Sequence, residues 1–84
     1  MKLDSTNKVY IRIKVLSNKY RFKIFELVSK NSMTISEISL EIGLSYDKCR
    51  EYIKMLEEAD LVSKKSKGRE VYVSTNVRIS FEKV

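Results

Sequence analysis

Residues 35 to 62, ISEISLEIGLSYDKCREYIKMLEEADLV, set two helical patterns on either side of a single Gly43-Leu44 pair. Just upstream, Thr34-Ile35-Ser36-Glu37 has the form of a capping box, in which the Thr34 hydroxyl accepts from the Glu37 amide and the Glu37 carboxylate reaches back to the amide of Thr34. A helix is expected from this point, with Ile35, Ile38 and Ile42 on its inner face. Gly43 ends it, because glycine takes the left-handed conformation at no steric cost. Ser45 caps the next helix, whose Cys49, Ile53 and Leu56 recur every three or four residues and which should run to about Asp60. Two helices joined by so few residues must cross steeply, so the second projects its outer face while the first braces it.

That unit is a helix-turn-helix, and its flanks extend it. LVSKK and REVYVST are short β-type runs joined by Ser66-Lys67-Gly68, with Gly68 free to adopt the positive φ of a hairpin loop, so a basic wing follows the second helix. Ahead of the unit, NKYRFKIFELVSK places Tyr20, Ile24, Leu27 and Val28 at helical spacing beside Phe25, with Ser17 as N-cap and Asn31 as stop. The run VYIRIKVL alternates, Val9, Ile11, Ile13 and Val15 against Tyr10, Arg12 and Lys14, which predicts a strand. VRISFEKV alternates in the same way through Val77, Ile79 and Phe81. Two such strands are marginal alone and should pair, within one chain or across a two-fold axis. The expected fold is mainly α with a small β-hairpin: a winged helix-turn-helix with further N- and C-terminal strands. It forms one domain over residues 1–84, with its core at about 16–75 and a flexible stretch at 1–7.

The net charge of +6 is unevenly spread. Residues 1–30 carry eight Lys/Arg against two acids, residues 31–60 three against seven, and residues 61–84 six against two. The basic ends favour a polyanionic partner such as nucleic acid, or else a solubilising surface. Cys49 is the single cysteine, so no internal disulfide and no Cys-x-x-Cys metal site is expected. With no apolar run of membrane-span length and no signal-peptide h-region, the chain reads as cytoplasmic, with no membrane partner.

The segments LSNKYRFKIFELV, MTISEISLEIGLS, IKMLEEADLV and KGREVYV, in this order and spacing, resemble the ArsR-type winged helix-turn-helix regulators of bacteria and archaea over roughly residues 16–74. The resemblance implies a dimeric DNA-binding repressor or activator, with the helix from Ser45 in the major groove and the 64–70 hairpin along the backbone or minor groove. The Ile- and Lys-rich composition and short chain also resemble small archaeal or archaeal-virus regulators. Many members of the family sense metal through Cys pairs or His/Asp clusters. This chain has no histidine and an inward-facing Cys49, so neither metal nor cofactor is expected. The family dimerises through helices before and after the winged core. Here both flanks read as strands, which shifts the expected dimer contact to Val9, Ile11, Ile13, Val77, Ile79 and Phe81.

On the second helix, Ser45, Tyr46, Asp47, Lys48, Arg50, Glu51 and Lys54 are the candidates for DNA contact. Lys48 and Arg50 can donate to guanine O6 and N7, and Asp47 can accept from cytosine N4. Tyr46 suits a phosphate or a thymine methyl. The same residues also fit an ordinary solvated helix face. Lys64, Lys65, Lys67 and Arg69 in the wing suit phosphate, although charged edge strands also guard against aggregation. Cys49 reads as core, and Leu40 as an exposed leucine on an otherwise polar face. Catalysis is not expected without a His base or a Gly-rich phosphate cradle. A winged-helix protein-binding module is the alternative, supported by the acidic middle third, whereas RNA binding lacks an aromatic stacking surface.

Overall fold

Ile24 and Val28 from one helix, Ile35 and Ile38 from a second and Cys49, Ile53 and Leu56 from a third meet in a core that Val62 and Val73 close from two strands. The computed structural model describes residues 4–77. The elements run α1 (Asp4–Leu16), α2 (Lys19–Lys30), β1 (Met33–Thr34), α3 (Ile35–Ile42), α4 (Tyr46–Glu58), β2 (Val62–Lys67) and β3 (Glu70–Thr75). The strands form an antiparallel sheet in the order β1-β3-β2. β1, which holds only two residues and so shows no alternation, was not expected from the sequence.

The joint between α3 and α4 follows its sequence closely. The Thr34 amide donates to Glu37 Oε1 at 2.9 Å and the Glu37 amide to Thr34 Oγ1 at 3.1 Å, which completes the capping box. Gly43 has φ 81°, and the amides of Gly43 and Leu44 both donate to the Ser39 carbonyl, closing the helix end. Ser45 Oγ then accepts from the Lys48 amide at 3.1 Å and starts α4. The hairpin pairs Val62 with Thr75 through to Lys67 with Glu70, so its turn is Gly68-Arg69. β2 therefore runs two residues further than expected, through Ser66 and Lys67, and β3 begins one residue later, at Glu70.

Four expectations are corrected. The strand expected over 9–16 is part of α1. Its four alternating residues divide into two i,i+4 pairs on different sides of the helix: Val9 and Ile13 face outward, whereas Ile11 and Val15 border a shallow apolar groove with Arg21 and Met55. A helix satisfies its own backbone groups, which a strand here would have to pair elsewhere. It also sets Lys8 and Arg12 one turn apart, both reaching Asp60. The helix starts at Asp4, inside the stretch expected to be flexible. The N-cap of α2 is Asn18, whose Oδ1 accepts from the amides of Tyr20 and Arg21, while Ser17 Oγ donates back to the Lys14 carbonyl at the end of α1. Strand pairing of the flanks falls with the first strand. Val77 lies beyond β3 and packs against the core, and Ile79 and Phe81 lie outside the described residues.

α4 ends at Glu58, two residues before the expected limit, in a Schellman-type closure. The Leu61 amide donates to the Leu56 carbonyl at 3.0 Å and the Asp60 amide to the Glu57 carbonyl at 2.9 Å. Asp60 stands at φ 61°, where glycine is usual. Arg12 occupies the same helix end: its Nε donates to the Ala59 carbonyl at 3.2 Å and its guanidinium to the Asp60 carbonyl at 3.1 Å. A cation at a helix C-terminus also meets the negative end of the macrodipole.

Two stability tests follow from this geometry. A Cβ at Gly43 would meet nothing within 4 Å, so Gly43→Ala should cost about 1–2 kcal/mol through backbone strain alone. Arg12→Ala should cost a similar 1–2 kcal/mol by uncapping α4, whereas Lys8→Ala, an exposed ion pair, should stay within about 0.5 kcal/mol. Urea unfolding midpoints measure all three. Cys49 is fully buried and burial pushes its thiol up to about 11. Because the folded value is raised, its contribution to stability is present below pH 9 and lost as pH rises through 11. The thiol should ignore a disulfide reagent at pH 8 until urea unfolds the chain, and Cys49→Ala should lose less stability than wild type between pH 9 and 11.

Candidate nucleic-acid interface

At 100° per residue, the inward commitment of Cys49, Ile53 and Leu56 fixes what each other flank of α4 presents. Arg50 and Glu57 fall on the side of the hairpin. Glu57 Oε1 lies 3.2 Å from Lys64 Nζ on β2, which ties the helix to the wing. Asp47, Glu51, Lys54 and Glu58 point away from the core, and the first three line one shallow groove between helix and hairpin with Arg50, Glu57 and Lys64. Tyr46 is exposed at the start of the helix. Ser45 holds that start through its cap, so its hydroxyl already has a partner.

Lys48 does not share this groove. It lies on the flank facing α2, with its ammonium 5.2 Å from the centre of the Tyr52 ring and 3.8 Å from Glu51. The hairpin cations also divide. Lys64 pairs across the sheet with the buried Val73 and so faces α4, while Lys65 and Lys67 share the opposite face with Tyr72 and Ser74. Arg69 sits in the turn. Lys65, Lys67 and Arg69 are exposed and carry no ion pair among the described residues, in contrast to Lys64.

The acids of the middle third are mostly engaged within the chain. Glu37 completes its capping box, Glu51 faces Lys48, Glu57 holds Lys64, and Asp60 meets Lys8, Arg12 and the Asn76 amide. Glu41 lies with Glu37 and Leu40 in a separate depression by Met33, away from the α4 groove. Leu40, expected to face out, is 84% exposed.

One cluster was not anticipated from the sequence. Tyr20 of α2 stacks on Tyr52 of α4 with ring centres 5.9 Å apart and planes 16° from parallel. Lys19 lies 5.3 Å from the Tyr20 ring centre and the Arg21 guanidinium 5.7 Å from that of Tyr52. The only local signal is Tyr52 one turn after Lys48; the rest needs α2 and α4 to be placed side by side. Among candidates for a dimer contact, Val9 and Ile13 are 55% and 64% exposed on α1.

A winged helix-turn-helix family model matches residues 19–77. No curated protein matches the chain in sequence. In fold it is similar to HlyU from Vibrio cholerae, at 19% identity and a TM-score of 0.82, with 88% of this chain and 80% of that one covered. NolR from Sinorhizobium fredii gives 19% identity and a TM-score of 0.79, covering 88% and 74%. A third similar structure is a homodimeric winged helix-turn-helix DNA-binding domain from Mycobacterium bovis, a possible ArsR-family transcriptional regulator. It gives 20% identity and a TM-score of 0.79, with 83% of this chain and 65% of that one covered. With most of its length matched by the family model and its helix pair and hairpin in place, the chain belongs to the winged helix-turn-helix family.

Proposed function

We propose that this protein is a sequence-specific regulator of transcription that binds duplex DNA as a homodimer, in the manner of the ArsR-type regulators. The observation that carries the reading is the outward flank of α4, where Arg50 and Lys54 stand beside a hairpin whose Lys65, Lys67 and Arg69 are exposed. A helix projected in this way fits the major groove. Arg50 donates to guanine O6 and N7, Asp47 and Glu51 accept from cytosine N4, and Lys54 and Tyr46 flank them. Lys65, Lys67 and Arg69 hold phosphates without reading sequence. Support comes from the solved relatives in fold, one of them a homodimeric DNA-binding domain.

The dimer contact moves from paired strands to α1. Val9 and Ile13 lie one turn apart on its outer side with Tyr10 beside them, an apolar stripe that a second copy can cover. Such a dimer sets its two α4 helices about 34 Å apart to reach successive major grooves. A protein-binding module remains the second reading, favoured by the exposed Leu40 between Glu37 and Glu41.

Mobility shift with random duplex DNA at two salt concentrations separates the two. If about four to eight phosphates are neutralised per dimer, log K against log salt should slope at roughly −4 to −7. No complex at low salt would leave the protein-binding reading. On a site selected from a random pool, Arg50→Ala should cost about 1–3 kcal/mol and relax the preferred sequence, whereas Lys67→Ala or Arg69→Ala should weaken binding to every duplex alike. Ile13→Glu should give a folded monomer by light scattering. A surviving dimer would place the interface elsewhere.

A further inference from the structure

We propose that Lys19 and Lys48, held on the stacked Tyr20–Tyr52 pair, form a second phosphate contact on the flank of α4 opposite the wing. The inference rests on the DNA-binding reading above and assigns Lys48 to the backbone instead of to base edges. The four side chains make a continuous ladder, Lys19 to Tyr20, Tyr20 to Tyr52 and Tyr52 to Lys48, in steps of 5.3, 5.9 and 5.2 Å. Arg21 fixes the middle of it. Its Nε donates to the Val15 carbonyl at 2.7 Å, and its guanidinium lies over the Tyr52 ring.

Three considerations make this a phosphate surface. First, ring faces hold these cations without neutralising them, so their charge stays available to a polyanion. Lys19 has no carboxylate partner among the described residues, and the Lys48–Glu51 pair is long at 3.8 Å and exposed on both sides, hence weak. Second, a ladder of three such steps is long enough to meet more than one phosphate of a strand, where charges recur every ~3.4 Å of axis. Third, a helix with its side chains is about as wide as the major groove, so both of its flanks come near a strand. The hairpin is on one flank and the ladder on the other, so α4 is gripped by both strands.

The test uses the full chain on a site selected from a random duplex pool and on random duplex. Lys19→Gln and Lys48→Gln should each lower affinity about 5- to 10-fold near 0.1 M salt, equally on both DNAs, and reduce the salt slope per protomer by about one. Lys30→Gln, at the far end of α2, controls for net charge and should leave the slope unchanged. Thermal melts confirm that these exposed substitutions leave the fold intact. If Lys48→Gln relaxes sequence preference while the slope holds, Lys48 reads bases and the proposal is overturned with DNA binding untouched. If both variants match wild type while Lys67→Gln weakens binding, the ladder is not in contact and the proposal is again overturned. If wild type binds no duplex at all, both readings fall together.

Discussion

The anchoring of α4 by Cys49, Ile53 and Leu56 is the constraint on which the rest of the molecule depends. A helix of 13 residues has only a few sides, and once one is sunk among Ile24, Val28, Ile35 and Ile38 the others have no freedom left. Arg50 must then look toward the hairpin, Lys48 toward α2, and Asp47, Glu51 and Lys54 toward solvent. Full burial of Ile53 and Leu56 contributes on the order of 2–3 kcal/mol each, a large share of what so short a chain can muster. Orientation of the outer face and stability of the fold are therefore the same interaction.

Electrostatics follows from that orientation. A chain with seven acids in its middle third looks ill suited to a polyanion, but three of those acids are firmly engaged by neighbours. Glu37 satisfies backbone amides, Glu57 steadies the hairpin through Lys64, and Asp60 gathers α1 and Asn76 at the far end of α4. Lys65, Lys67 and Arg69 on one side and Lys19 on the other, all without carboxylate partners among the described residues, bracket the helix. Summed charge by segment conceals this separation, because it ignores which acids are already occupied.

What the sequence made legible was what local rules control. The capping box at Thr34, the left-handed Gly43 and the Ser45 cap each depend on a few adjacent residues, and each stands as read. The 9–16 part of α1 reads as a strand because Val9, Ile11, Ile13 and Val15 alternate, and alternation also decomposes into two helical i,i+4 pairs when a helix uses two of its sides. Nothing within 9–16 chooses between these; Asp60, 48 residues beyond Arg12, does. The Tyr20–Tyr52 stack was illegible for the same reason, since it exists only where α2 and α4 touch. The split of the wing cations over two faces was in principle readable, as soon as Val73 is taken as the buried partner of Lys64.

The Arg12 side chain carries one more implication. It caps α4 from α1, so the helix that presents Val9 and Ile13 outward is fastened to the very end of the helix that presents Arg50. A polar fastening of this kind is directional and breaks over short distances, unlike a greasy contact that slides. Whatever tilts α1 must therefore either carry the C-terminal end of α4 along or release its last carbonyls to water.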